Sequence, residues 1–196
     1  AKPFVGVQKI QEAKSKIAKG KDISLRKYFL PQFAQKMLRK YPLYRGPNCF
    51  HSTMAFHGKA FARGEKFNIK LEENYHPAMI NYDELWRILN IEFHEIPPGS
   101  IDLKYGDIVV FFDIHDQPPG SFVDFKTIRH AATYVVDGYL FSKGSKSPNT
   151  PYTLKTLAQE WKIWSKITKK LGVKVYRRNS FEKSPVPAKD LASWLY

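Results

Sequence analysis

The order of predicted elements points to an α+β protein, with helices first and a run of mostly antiparallel strands after them. Three observations carry this. Apolar residues recur at helical spacing through residues 5–40 and again through 49–62. From residue 91 onward the pattern changes to alternation and short apolar runs. Asp137-Gly138 then joins two such runs, and Asp-Gly between alternating stretches is the strongest short-range hairpin signal.

Residues 5–40 read as helical and basic. Ile10, Ala13, Ile17 and Ala18 form a short apolar stripe that Gly20 closes. Ser24 is placed to cap a second helix, in which Leu25, Phe29, Phe33 and Met37 recur, with Pro31 near its start. The third helix is expected over 49–62, with Phe50, Met54, His57 and Phe61 in one line and His51, Ala55, Gly58 and Ala62 in a second. Apolar or small residues on most faces mark a central, buried helix. Residues 80–90 form a further helix with Ile80, Leu85, Ile88 and Leu89 inward.

Strands are expected at 91–97, at 105–114 behind a Gly106-Asp107 turn, and as the two arms of 130–144. Residues 115–125, rich in Pro and Gly, make a loop long enough to serve as a lid or substrate wall. Thr153 to Leu171 reads as a helix ended by Gly172, and 173–178 as an edge strand. No internal repeat is visible. The expected division is a basic helical extension over 1–40 and a main domain over 41–196.

Composition sets the class. The 196 residues are 43% hydrophobic and 15% aromatic, which suits a globular chain and excludes a disordered one. No stretch approaches the roughly 18–20 apolar residues that span a bilayer. The net charge of +14 is unevenly placed. Residues 1–45 carry 12 basic and 2 acidic side chains, 46–154 carry 10 and 13, and 155–196 carry 10 and 3. Basic flanks around a mildly acidic middle favour an anionic polymer as partner. Tyr28, Phe29, Trp161 and Trp164 accompany the basic segments at spacings that serve helix packing equally well, so nucleic acid is not the favoured polyanion.

A single cysteine excludes an internal disulfide and a multi-thiolate zinc site. Its surroundings give it another use. In Gly46-Pro47-Asn48-Cys49-Phe50, Gly and Pro break what precedes, and Asn48 is a favoured N-cap. Cys49 therefore falls in the first turn of a helix, where the dipole and unpaired N–H groups favour a thiolate and offer an oxyanion site. His130, opening a strand after a polar loop, is the candidate base. His57 reads as a buried core residue. His51, His76, His94 and His115 lack metal-ligand spacing, so no metal or other cofactor is expected.

These stretches together resemble the NlpC-type cysteine peptidases of the papain-like superfamily. The motifs are GPNCFHSTMAF at 46–56, YGDIVVFF at 105–112 and HAATYVVDGYLFSKG at 130–144. The resemblance implies a papain-like core, with a nucleophile-bearing central helix on an antiparallel sheet. It implies Cys49 as nucleophile, His130 as base and Tyr44 near the substrate's amino end. The third catalytic position falls on Ser142, where the family usually has His, Asn or Gln, and Asp107 takes a structural turn position. The implied activity is hydrolysis of an amide bond in bacterial peptidoglycan stem peptides. The implied location is the cell envelope, periplasmic or secreted, with a leader already removed before Ala1. Two alternatives stay open: a thiol acyltransferase or deamidase on another substrate, and a basic binding module on a degenerate hydrolase fold.

Overall fold

The computed structural model describes residues 7–42, 45–57, 79–97, 99, 102–115 and 127–179. Tyr44, most of the 115–125 loop and the expected end of the third helix lie outside the described residues. The protein is α+β, as the element order implied. Helices α1 (Val7–Ala18), α2 (Leu25–Phe29), α3 (Gln32–Met37), α4 (Cys49–His57) and α5 (Tyr82–Glu92) precede strands β1 (Phe93–Ile96), β2 (Ile108–Asp113), β3 (Ile128–Val136), β4 (Tyr139–Lys143) and β5 (Tyr152–Thr156). Helix α6 (Leu157–Trp164) and strand β6 (Leu171–Arg178) follow. The six strands form one sheet in the order β1-β6-β2-β3-β4-β5, with every neighbouring pair antiparallel. Among the described residues no helix is long and apolar enough to cross a membrane.

Local chemistry sets the element ends. Gly20, at φ 64, closes α1 by donating its N–H to Ile17 O. The expected second helix is divided, because Pro31 lacks an N–H and cannot sit inside a helix. It stands instead as the N-cap of α3, after α2 has ended at Phe29. Asn81 with Glu84 and Thr156 with Gln159 form reciprocal capping boxes that start α5 and α6. Asp137 and Gly138 both take positive φ, 47 and 76, which gives the tight turn expected between β3 and β4.

Two strand assignments need correction. Residues 153–156, expected at the start of a helix, belong with Tyr152 to β5, and α6 begins only after Thr156 and ends at Trp164 rather than Leu171. Thr153, Leu154 and Thr156 suit a strand bonded along the full length of β4. The last strand, β6, is not an edge. It lies between β1 and β2, which explains why it is long for a terminal strand, with Tyr176 buried.

Side chains alternate across the sheet and divide the core. Ile108, Val110 and Phe112 of β2 face α4 and α5, meeting Met54, Leu85 and Leu89. Val109 and Phe111 face the opposite way, against Trp164 and Leu157 of α6. Helices α1–α3 are packed into the same core, where Ala13, Tyr28 and Leu30 meet Phe56 of α4 and Phe141 and Tyr152 of the sheet.

Asp107, assigned a structural role from its turn, has one. Its carboxylate accepts the Lys104 N–H at 2.7 Å and two Arg177 bonds, from Nε at 2.9 Å and Nη2 at 2.8 Å. The turn before β2 is thereby tied to β6. Asp107→Ala would leave the guanidinium without its forked partner and the turn N–H without an acceptor. A loss of about 2 kcal/mol in urea-unfolding stability is expected. A variant as stable as wild type would remove this pair from the account.

Candidate active site

Cys49 is positioned by the cap that precedes it. Asn48 Oδ1 accepts the His51 N–H at 2.9 Å, and its carbonyl accepts the Ser52 N–H at 3.0 Å. Its Nδ2 donates to Ile80 O at 2.6 Å, fixing the start of α4 to the segment that enters α5. Every residue of α4 is buried, so the helix is central, as its composition implied.

Opposing effects act on the Cys49 thiol. Burial dominates and pushes it up to about 11, although the backbone N–H groups of Ala131, Phe50 and Cys49 itself favour the thiolate. The negative charge of Glu160 adds to the upward shift. In this conformation the sulfur is a protonated thiol at neutral pH, with anion-stabilising donors already around it.

His130 lies elsewhere. It stacks on Trp164 at 4.6 Å between centroids and tilts against Phe111 at 5.7 Å. Below it is Glu160, only 1% exposed and the centre of a buried polar cluster. Glu160 accepts the Ser142 hydroxyl at 2.9 Å and the Trp164 indole N–H at 3.2 Å. Lys155 Nζ stands 3.6 Å away and His130 Nε2 3.7 Å. Neither imidazole nitrogen has a hydrogen-bond partner among the described residues. Burial lowers the His130 pKa to about 4, outweighing the upward pull of Glu160.

Sheet register explains the division. Phe111 pairs with His130 and Val110 with Ala131, so His130 shares the α6 face with Phe111, and Ala131 shares the α4 face with Val110. Cys49 is on Ala131's side. The irregularity between Phe111 and Phe112 leaves Arg129 as an extra residue in β3, with Ile128 back on the α4 face opposite Phe112. Next to the turn, Leu140 and Ser142 face α6, while Phe141 faces α4.

The structure thus joins His130 and Ser142 through Glu160 but sets both across the sheet from Cys49. The expected direct pairing of Cys49 with His130 is not made in this conformation, because adjacent strand residues point to opposite faces. Glu160 escaped the sequence reading. Its signal was a lone acidic residue on the apolar line of Leu157 and Trp164 in an otherwise basic segment. His57 is a core residue, as expected: it meets Phe93 edge-on at 5.1 Å, and burial, helped by Arg178, lowers its pKa to about 3.

No protein-family model, curated protein or solved structure matches the chain.

The His130 shift has a pH consequence. The unfolded imidazole takes its proton near the ordinary 6.5, whereas the folded one does so only near 4. Between those values the unfolded state binds more protons, so stability is full above about 6.5 and falls as pH drops towards 4. Denaturant midpoints measured from pH 7 to pH 4 should therefore fall less steeply for His130→Gln than for wild type. Parallel curves would mean that His130 is not held neutral by its burial.

Proposed function

We propose that the chain is a papain-like cysteine hydrolase that cleaves an amide bond in a bacterial wall peptide, with Cys49 as nucleophile. The observation that carries this is the position of Cys49 as the first residue of a buried helix, directly behind the Asn48 cap, where the helix dipole and backbone N–H groups favour negative charge against the cost of burial. An inert cysteine has no use for such donors, whereas an attacking thiolate and the oxyanion of a tetrahedral intermediate both do. The basic α1 and the excess positive charge over residues 1–45 suit an anionic polymer surface.

In this chemistry His130 takes the Cys49 thiol proton, the thiolate adds to the amide carbonyl, and His130 passes that proton to the departing amine as the C–N bond breaks. Water then cleaves the thioester and regenerates the thiol. His130 must reach Cys49's face to do this, and β3 holds a device for it. Ile128 already faces α4, and regular alternation from Ile128 would bring His130 to the same side. The extra residue at Arg129 turns it away. Migration of that irregularity past His130 would return the imidazole to the sulfur, since a one-residue slip exchanges the faces of a strand. Substrate binding would have to favour the shifted register.

Purified peptidoglycan provides the test. Wild type should release stem-peptide fragments detectable by mass spectrometry, and Cys49→Ala and His130→Ala should each lower that release by at least about a hundredfold. Equal release by wild type and Cys49→Ala would end the proposal.

A further inference from the structure

We propose that Lys143, rather than Ser142, is the β4 residue that serves Cys49: a buried ammonium that stabilises the thiolate from across the strand pair. This rests on the thiol-hydrolase reading and adds a positioning residue to it.

The geometry comes from the alternation of side chains. Phe141 faces α4 and Ser142 turns to Glu160 on the α6 face, so alternation along β4 returns Lys143 to the α4 face, the face of Ala131. Ala131 is the residue whose N–H favours the Cys49 thiolate. Phe141, two residues before Lys143, meets Phe56 of α4 at 5.8 Å, which fixes that side of β4 as the α4 face.

The immediate surroundings agree. Lys143 is a fully buried lysine. Its Nζ donates to the Ser145 and Ser147 carbonyls, the latter at 2.8 Å. That loop is joined in turn to the segment preceding Cys49, since the Gly46 N–H donates to Lys146 O at 3.1 Å. Among the described residues, these two carbonyls take two of the three ammonium donors. Burial lowers the Lys143 pKa to about 8, and a thiolate at Cys49 would favour its charged form. Ionisation is then a balanced exchange: the thiol proton goes to solvent base, or to His130 once it faces the sulfur, leaving the thiolate beside the Lys143 ammonium.

Other ionisable groups around the pair are few among the described residues. His51 lies on α4 itself, Tyr152 of β5 has its ring 6.0 Å from Nζ, and Glu160 acts on Cys49 from beyond the sheet. The nearby core residues of α5, β2 and β3 are apolar, such as Leu85, Val110 and Ala131. On the same face β6 carries Lys174, ion-paired with Glu95 at 2.8 Å, the buried Tyr176, and Arg178, whose Nη1 donates to His57 O at 2.9 Å; Lys143 is the cation on which a charge at Cys49 acts.

Because the chain has one cysteine, iodoacetamide labelling followed by intact mass reads Cys49 alone. Labelling rates should be measured from pH 6 to pH 10 on wild type, Lys143→Gln and Lys143→Arg, with circular dichroism confirming the fold. Lys143→Gln keeps donors for the loop carbonyls and loses the charge. It should label about tenfold more slowly near pH 7.5, the rise of its rate with pH being displaced about one unit upward. Lys143→Arg should retain the wild-type profile. A folded Lys143→Gln that labels like wild type overturns the inference. If that variant does not fold, a rate profile displaced upward in Lys143→Arg, which keeps the charge, also overturns it. Peptidoglycan digestion is scored separately. A shifted labelling profile without wall-peptide release would sink the substrate reading and leave the charge pair standing.

Discussion

The pairing of β3 with β2 is the constraint on which the candidate chemistry depends. It determines which residues of IRHAATYVV face α4 and which face α6. The alternation is strict through Thr133, Ala132, Ala131 and His130, then broken by one extra residue at Arg129. Everything around the site inherits that pattern: Ala131 beside Cys49, His130 against Trp164, and the continuation of both patterns into β4. A bulge that re-aims a side chain near a functional group is a common device, and here it lies within one residue of the candidate base.

Two buried polar environments result, and they differ in how they meet the cost of burial. On the α6 face, Glu160 gathers a hydroxyl, an indole N–H and a lysine, so its charge is well supplied, while His130 stays neutral against aromatic rings. The α4 face is sparser. Cys49 has backbone donors but little polar company, and burial prevails over them. A thiol kept protonated until an incoming imidazole completes its surroundings is protected from side reactions such as oxidation, because the thiolate is the reactive form.

Much of the fold was legible in the sequence because local chemistry specified it. Asn48 as a cap, Gly20 as a stop, Asp137-Gly138 as a turn and the all-round apolar character of α4 each act within a few residues, and each stands in the structure as read. The failures are of a different kind. β5 looked helical because its last four residues lead directly into α6, and only pairing with β4 makes them a strand. β6 looked like an edge because nothing within VKVYRR reveals that β1 returns to cover it. The faces of the candidate site were not legible: which side of the sheet His130 takes depends on the register of β3 against β2, which no local signal announces.

Viewed from the sheet, Ser142 and Lys143 are a single problem with two answers. Adjacent strand residues must diverge, so whichever side receives the serine, the lysine goes to the other. The present register gives the serine to Glu160 and the lysine to Cys49's side. A register shift confined to the first residues of β3 would turn His130 towards the sulfur without disturbing β4, because the β3–β4 ladder is fixed further along, at Thr133–Phe141 and Tyr134–Leu140. In that arrangement the imidazole and the ammonium would approach the thiolate from neighbouring strands, one to move protons and the other to hold charge. The two roles are chemically separable, since a buried cation lowers the cost of the thiolate but does not hand a proton to the leaving amine as readily as an imidazole of ordinary pKa.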